Sequence, residues 1–204
     1  MAKRQYLNEY PSVTTILGVL RKIGLENWYK LNTPQFIQQE SSRGKQIGTE
    51  IHDVIHKYIE TGEAKIETDY PDEVTNALKS FMLFRTEHPD ILLQNAEVPL
   101  TSEKFQFNGT IDCIGNGIIV DWKTANAKDK EKPAIYDEYL YQVSAYVYLW
   151  NECKNANIEK AVIVSVAKDK IAYNLEWMDK EKIDGCFNEV FLSTLKIYNY
   201  GRKR

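Results

Sequence analysis

Residues 109–125 read GTIDCIGNGIIVDWKTA and decide the fold of the chain. Two runs rich in β-branched residues lie on either side of Gly115-Asn-Gly, a sequence typical of a tight turn. The stretch therefore predicts two antiparallel strands, 105–114 and 117–124. A similar run, 92–100, precedes them and completes an antiparallel meander.

Charged side chains lie inside this otherwise apolar stretch. Because side chains on a strand alternate between faces, Asp121 and Lys123 share one face and Trp122 points to the other. Antiparallel pairing through the turn would bring Asp112 beside Asp121. A lone Asp-x-Lys is usually a weak surface pair, but charged groups are rarely placed in an apolar strand without a partner or a task. Two carboxylates and an ammonium in one cluster favour a hard divalent cation such as Mg²⁺.

Hydrophobic periodicity predicts a mixed α/β chain outside the meander. A helix that connects two strands of one sheet implies that those strands are parallel. The elements predicted after the meander are a helix 133–154, a strand 161–167, a strand 171–178 and a helix 180–200 that ends at Gly201 before the basic tail Arg202-Lys203-Arg204.

The first 90 residues have a helical pattern. Ser12 is the candidate N-cap of the first helix. Further helices are predicted over 26–31, 34–61 and 72–87, with a bend or loop near Arg43–Gly48 because Gly44 and Gly48 interrupt the second of them. We expect one domain, 1–204, made of a helical cover (1–90), a catalytic sheet with its crossover helix (91–178), and a C-terminal helix and tail (179–204).

Composition excludes several classes of protein. The 204 residues carry 26 Lys plus Arg and 29 Asp plus Glu, an ordinary globular balance that neither indicates nor excludes nucleic acid. Three cysteines far apart in sequence argue against a disulfide framework and a thiolate metal site. The amino terminus lacks the apolar run of a secretory signal, and the densest apolar run, 161–167, is too short to span a bilayer. We therefore expect a cytoplasmic protein with no membrane contact.

Four motifs in one order resemble the PD-(D/E)XK nuclease superfamily, and specifically its RecB-like branch. Taken singly, each motif occurs by chance in many proteins. The opening segment, Tyr10–Ile16, is further similar to the mitochondrial genome-maintenance exonucleases and their phage-borne relatives. The four motifs are Gly48-Thr-Glu-Ile-His52, the Gly-Thr-Ile-Asp that ends at Asp112, Asp121-x-Lys123, and Gln142-x-x-x-Tyr146.

The resemblance implies a fold and an activity. The fold would be a restriction-endonuclease-like α/β core, with a mixed central sheet and an added N-terminal helical layer. The activity would be that of a metal-dependent DNA nuclease, an exonuclease acting on single-stranded or end-bearing DNA in replication, recombination or repair. Replication or recombination proteins would be its partners, in a bacterial or phage-infected cell.

The resemblance also implies which residues hold the metal. Asp112 and Asp121 would bind Mg²⁺ or Mn²⁺, with the Trp122 carbonyl as a further ligand. His52 matches the position beside the metal, and Glu97 matches an extra acidic position used by some members. Relatives with an iron-sulfur cluster carry four cysteines, a set that this sequence lacks, so no iron-sulfur cluster is expected.

The remaining implied roles concern the water and the nucleic acid. Lys123 would orient or deprotonate the attacking water and stabilise developing negative charge. Gln142 and Tyr146, four residues apart on one helix face, would fix Lys123 or the nucleic-acid backbone. Arg43 and Lys45 are candidate phosphate contacts.

Two other hypotheses fit part of the sequence. His52-Asp-Val-Ile-His56 has the spacing of the zinc peptidase motif His-Glu-x-x-His, but Asp53 replaces the glutamate and Ile59 stands where the extended motif has glycine. The other alternative is a nuclease-like module that binds nucleic acid without cutting it. The presence of Asp112, Asp121 and Lys123 together argues against a degenerate site.

Overall fold

The central sheet has the mixed topology that the sequence predicts. The computed structural model describes residues 9–20, 23–63, 67 and 69–202. The strands are β1 (Asn95–Ser102), β2 (Phe107–Gly115), β3 (Ile118–Ala125), β4 (Lys160–Ala167) and β5 (Tyr173–Met178). They form one five-stranded sheet in sequence order, antiparallel except for the parallel pair β3 and β4.

Helices cover both faces of this sheet. The helices are α1 (Val13–Leu17), α2 (Ile23–Leu31), α3 (Pro34–Thr61), α4 (Asp72–Glu87), α5 (Asp137–Lys154), α6 (Lys180–Gly185) and α7 (Leu192–Arg202). The crossover helix α5 connects β3 to β4, as expected for a parallel pair. The predicted α/β fold class is therefore confirmed. None of the described helices is long and apolar enough to cross a membrane.

The turn between β2 and β3 has the geometry that its sequence predicts. Asn116 and Gly117 both have left-handed backbone, with φ of 51° and 73°. This conformation belongs to the two-residue hairpin turns that match the twist of antiparallel strands. It fixes the register in which Cys113 pairs with Val120 and Gly115 pairs with Ile118.

Two hydrophobic cores follow from the alternation of side chains on β3. Trp122 points towards α3 and α4 and contacts the ring of Phe81 at 5.2 Å between centroids. Ile119 points to the opposite face, where Val143 of α5 and Phe191 complete the other core. Asp121 and Lys123 alternate with Trp122 and therefore face α5.

The expected interruption of α3 is wrong. The helix runs from Pro34 to Thr61 without a loop and includes Gly44 and Gly48. Its buried positions, Ile47, Ile51 and Ile55, recur at helical spacing and pack against α4. A helical glycine costs only about 1 kcal/mol relative to alanine, so the burial of this stripe outweighs both glycines.

The C-terminal helical region differs from the single helix expected over 180–200. A π-helical segment, Cys186–Phe191, joins α6 to α7, and α7 continues past Gly201 to Arg202. The wider turn lets Phe187 stack on Tyr148 while Phe191 contacts Phe107. Lys203 and Arg204 of the predicted tail, and residues 1–8, lie outside the described residues.

Candidate active site

The site lies where β2 and β3 separate. The two strands pair only over three positions, from Cys113 to Gly115 on β2. The next position on each strand is an aspartate, Asp112 or Asp121, and there the ladder ends. The backbone N–H of Trp122 donates to Asp112 Oδ2 at 3.1 Å. The Asp112 carboxylate thus accepts the hydrogen bond that a backbone carbonyl of β2 would accept if the two strands continued to pair.

Asp121 is a fully buried carboxylate that lies beside one ammonium group. Lys123 Nζ is 2.5 Å from Asp121 Oδ2, a charge contact rather than a well-aligned hydrogen bond, and the Asp121 side chain is 0% exposed. Oδ1 has no hydrogen-bond partner within the described part of the chain. Burial raises the pKa of Asp121 to about 6; Lys123 lowers it, Asp112 raises it, and His52 lowers it. These four groups therefore share one electrostatic environment.

An aromatic ring holds the other side of the Lys123 ammonium. The ring centroid of Tyr139, on the first turn of α5, lies 5.1 Å from Lys123 Nζ. Burial raises the pKa of Tyr139, and the Asp121 charge acts in the same direction. Tyr139 is not among the site residues that the sequence predicts. Its position three residues before Gln142, on the same helix face, is the signal that associates it with the site.

α3 brings His52 to the sheet from the opposite core. His52 Nδ1 lies 3.8 Å from Asp112 Oδ2, the oxygen that also accepts from Trp122. One turn earlier on α3, Gly48 lies against β3. A Cβ added to Gly48 would lie 3.7 Å from Thr124 Oγ1. The helix therefore packs close to β3 through Gly48 and places His52 beside Asp112.

Glu97 completes the acidic cluster from β1. The pairs Ala96 with Cys113 and Val98 with Ile111 place Glu97 opposite Asp112. The Glu97 backbone is left-handed, with φ of 52°, which is uncommon for a residue with a side chain and concentrates at functional sites. The sequence does not predict this conformation, because no residue near Glu97 favours left-handed backbone there.

Three of these side chains have the geometry of a metal site. Ligand atoms of His52, Glu97 and Asp112 all lie within 4.8 Å of one another. The unpartnered Oδ1 of Asp121 lies in the same electrostatic environment. A set of carboxylate oxygens and one imidazole nitrogen suits a divalent cation such as Mg²⁺ or Mn²⁺. The residues present therefore fit a divalent metal.

Gln142 and Tyr146 bond to each other on α5. Gln142 Nε2 donates to Tyr146 Oη at 2.7 Å, across one helical turn. A Cβ added to Gly109 would lie 2.9 Å from the Tyr146 ring and 2.8 Å from Leu149. The glycine of the Gly-Thr-Ile-Asp motif therefore lets α5 approach β2. That these two residues fix Lys123 or the nucleic acid stays a prediction, as does a metal bond from the Trp122 carbonyl.

The other sequence candidates lie outside this cluster. His56 Nε2 is 3.3 Å from Glu60, and the possible metal cluster found among the described residues contains His52 without His56. Arg43 forms an ion pair with Glu73, while Lys45 is exposed. Arg202, at the end of α7, is exposed and lies over the ring of Tyr198.

Comparisons with known proteins identify the family. A comparison with curated proteins found no match. A phage-related exonuclease from Haemophilus somnus has 15% identity and a TM-score of 0.40 over 72% of this chain and 78% of its own. An alkaline exonuclease from Laribacter hongkongensis has 14% identity and a TM-score of 0.37 over 74% and 81%. The model of the PD-(D/E)XK nuclease superfamily matches residues 25–184. The chain, with its mixed sheet and its acidic cluster at the β2–β3 fork, therefore belongs to the PD-(D/E)XK nuclease superfamily.

Proposed function

We propose that the protein is a metal-dependent DNA nuclease, an exonuclease that acts on single-stranded or end-bearing DNA in replication, recombination or repair. The observation that carries the proposal is the convergence of His52, Glu97 and Asp112 within 4.8 Å beside the buried Asp121–Lys123 pair. Buried charges and strongly shifted pKa values concentrate at catalytic sites. Family membership supports the same reaction class.

The residues at the fork, the point where β2 and β3 separate at Asp112 and Asp121, have different proposed roles in the reaction. A divalent cation held by His52, Glu97, Asp112 and Asp121 would supply acidification of a bound water and charge compensation at the scissile phosphate. Lys123 presents its ammonium on the same strand, two residues after Asp121. It orients the attacking water and donates to the phosphate oxygens as negative charge develops.

The position of Lys123 is fixed before substrate arrives. Its side chain is only 15% exposed and lies between the Asp121 carboxylate and the Tyr139 ring. An ammonium held by a carboxylate and an aromatic face has little freedom to reorganise. Such preorganised charge contributes more to catalysis than a mobile surface lysine does.

A time course with end-labelled DNA tests the function. Linear single-stranded, linear double-stranded and circular single-stranded DNA are incubated with Mg²⁺, Mn²⁺ or EDTA. Loss of linear but not circular DNA, only with metal, is the result expected of an exonuclease. Cleavage of circles would identify an endonuclease. Absence of cleavage in folded protein would overturn the proposal and favour a nucleic-acid-binding module.

Replacement of Lys123 by alanine should lower the cleavage rate by ~10²- to 10³-fold, as loss of one preorganised donor does. The matched control is Lys160→Ala. Lys160 is an exposed lysine at the other end of the β3–β4 pair, opposite Ile118, whereas Lys123 pairs with Ser165. Equal rates for the two variants would remove Lys123 from the reaction.

The two histidines of α3 should differ in their effect on cleavage. His52→Ala removes a predicted metal ligand and should reduce the rate by at least ~10- to 100-fold, the range seen when only an outer-shell partner of a metal ligand is removed. His56→Ala changes the same residue type one turn away, where the side chain meets Glu60, and should leave the rate close to that of the parent. Cleavage rates at several Mn²⁺ concentrations measure both effects. An unchanged metal dependence in His52→Ala would assign His52 to packing alone.

A further inference from the structure

Tyr136 is an exposed tyrosine close to the site, and it packs in neither hydrophobic core. The loop 126–136 leaves the end of β3 just beyond Lys123 and ends at Tyr136, the N-cap residue of α5. The Tyr136 side chain is 53% exposed. Its ring meets the Tyr139 ring edge-on at 5.5 Å, and Tyr139 lies over the Lys123 ammonium. Two ring contacts therefore connect Lys123 to the protein surface at Tyr136.

Side chains from β4, from β5 and from the turn between them hold this loop in place. Ser165 Oγ donates to Ala134 O at 3.0 Å, and Asn174 Nδ2 donates to Pro133 O at 3.1 Å. On the other side of the loop, Lys170 Nζ donates to the carbonyls of Lys128 and Lys130 at 2.6 and 3.1 Å. A loop with so many fixed carbonyls presents its last residue at a defined place, which a binding residue requires.

The two carboxylate oxygens of Asp169 fix the start of the same loop. They accept from the backbone N–H groups of Ala127 and Lys128 at 2.8 and 2.7 Å. Ala127 is buried. Both ends of the loop are therefore tied to the β4–β5 side of the sheet.

The charges near Tyr136 favour a base over a phosphate at the ring. Asp137 directly follows Tyr136 and is exposed, so a phosphate close to the ring would meet a like charge. Earlier in the loop, exposed lysines at positions 128, 130 and 132 alternate with the exposed acidic residues at positions 129 and 131, so the loop carries both signs of charge. The Tyr136 ring itself is uncharged and offers a face that suits a nucleobase.

We propose that Tyr136 binds a nucleobase by stacking, next to the scissile phosphate at Lys123. The inference rests on the proposed nuclease function and names the form of the substrate, an unpaired base in a single strand. Aromatic side chains that stack on bases act without regard to sequence, because every base has a π-face. The stacking accounts for an aromatic side chain that is exposed to solvent and lies one ring contact away from the partly buried Lys123.

The test uses single-stranded oligonucleotides with one abasic residue, moved position by position past the cleaved bond. In the parent, the abasic residue at one position should raise KM by ~10-fold, within the range of one lost base stack. Tyr136→Ala should show the raised KM on intact DNA and no further change on the abasic strand. Tyr136→Phe should behave as the parent, because the ring is retained.

Tyr200→Ala is the matched control. Tyr200 is a comparably exposed tyrosine, at 63%, on α7, and its replacement should leave KM and the abasic effect unchanged. If Tyr136 merely supported Tyr139 and Lys123, Tyr136→Ala would lower kcat and keep the full abasic effect. That result, or a parent-like KM on intact DNA, would overturn the inference.

A separate binding measurement distinguishes failure of the stacking proposal from failure of the proposed nuclease function. If the parent cuts none of the strands, the fluorescence anisotropy of the same labelled oligonucleotides reports binding instead. Weaker binding of the abasic strand in the parent, and equal binding of both strands in Tyr136→Ala, would support stacking without cleavage. Equal binding of both strands by the parent would overturn it.

Discussion

Asp121→Asn should lose cleavage by at least ~10³-fold and at the same time unfold at higher urea concentrations than the parent in EDTA. Loss of activity follows because the amide supplies no negative charge to a divalent metal. Gain of stability follows because the parent buries this carboxylate completely, and the Lys123 ammonium does not offset the full cost of its burial. Activity and stability should therefore change in opposite directions in one variant.

The size of the stability gain comes from the cost of the buried charge. Burial raises the pKa of Asp121 to about 6, so ionising this carboxyl costs ~3 kcal/mol more in the fold than in the unfolded chain. Asparagine has the same shape and no charge. Its buried NH₂ group, if left without an acceptor, offsets ~1 to 2 kcal/mol of the gain. The expected increase in the free energy of unfolding is thus ~1 to 2 kcal/mol.

The gain should depend on pH with a definite sign. The folded-state pKa of Asp121 is raised above its unfolded value, so the charge penalty is full above about pH 6 and disappears as the pH falls towards about 4. Asp121→Asn should therefore be more stable than the parent at about pH 8, whereas at about pH 4 the cost of its buried amide should leave it slightly less stable than the parent. Urea unfolding in EDTA at both pH values measures the difference.

Asp169→Asn provides the control of opposite sign. Although burial acts against it, hydrogen bonds from the Ala127 and Lys128 backbone lower the pKa of Asp169. Its ionised form is favoured by the fold, so the amide should lower stability at about pH 8. An Asp121→Asn protein that is less stable than the parent at about pH 8, or that still cleaves, would contradict these roles of Asp121.

Gly115→Ala should destabilise the protein by more than ~3 kcal/mol, beyond the usual 1 to 3 kcal/mol of an overpacked site. A Cβ at this position would lie 1.6 Å from the carbonyl oxygen of Leu92 and 2.5 Å from its carbon. Both atoms are backbone, so the clash cannot be relieved by a change of rotamer. The segment before β1 or the end of β2 must move.

The same movement should reduce cleavage, because Asp112 lies three residues before Gly115 on β2. Gln94 N donates to Ile114 O at 3.1 Å and ties the two segments together beside the clash. Urea unfolding and the yield of folded protein measure the effect. Stability within ~1 kcal/mol of the parent would show that the Leu92 segment can yield.

Gly44→Ala is the matched control for a glycine substitution. Gly44 lies within α3, and a Cβ there meets no atom within 4 Å. Alanine should raise the free energy of unfolding by ~0.5 to 1 kcal/mol, through helix propensity and a less flexible unfolded chain. The two substitutions are chemically identical and should differ in sign.

Local patterns predicted the strands, the turn and the approach of Asp112 to Asp121. These features follow from residue alternation and from the turn preference of Asn116-Gly117, which act over a few residues. The continuity of α3 did not follow, because its glycines argue locally for a break while the packing of its isoleucine stripe is a tertiary effect. In α3, the free energy gained by burying the isoleucine stripe outweighs the local preference of the glycines for a break.

The less predictable parts of the site depend on contacts between distant segments. The left-handed Glu97 and the position of Tyr139 over Lys123 need the whole sheet to be assembled. The expected first strand, 92–100, likewise shifts to Asn95–Ser102, with Leu92 against Gly115. No residue pattern within these segments encodes such approaches.

The early separation of β2 and β3 limits where the protein can be made more stable without loss of the site. If the two strands paired further, the N–H of Trp122 would bond to a neighbouring strand and Asp112 would lose that donor. Engineering for a longer, more regular sheet would therefore remove the strand separation that places Asp112 beside Trp122 and Asp121. Thermostable variants of this enzyme should instead be sought in the helices and at the far end of the sheet, where added order leaves the fork open.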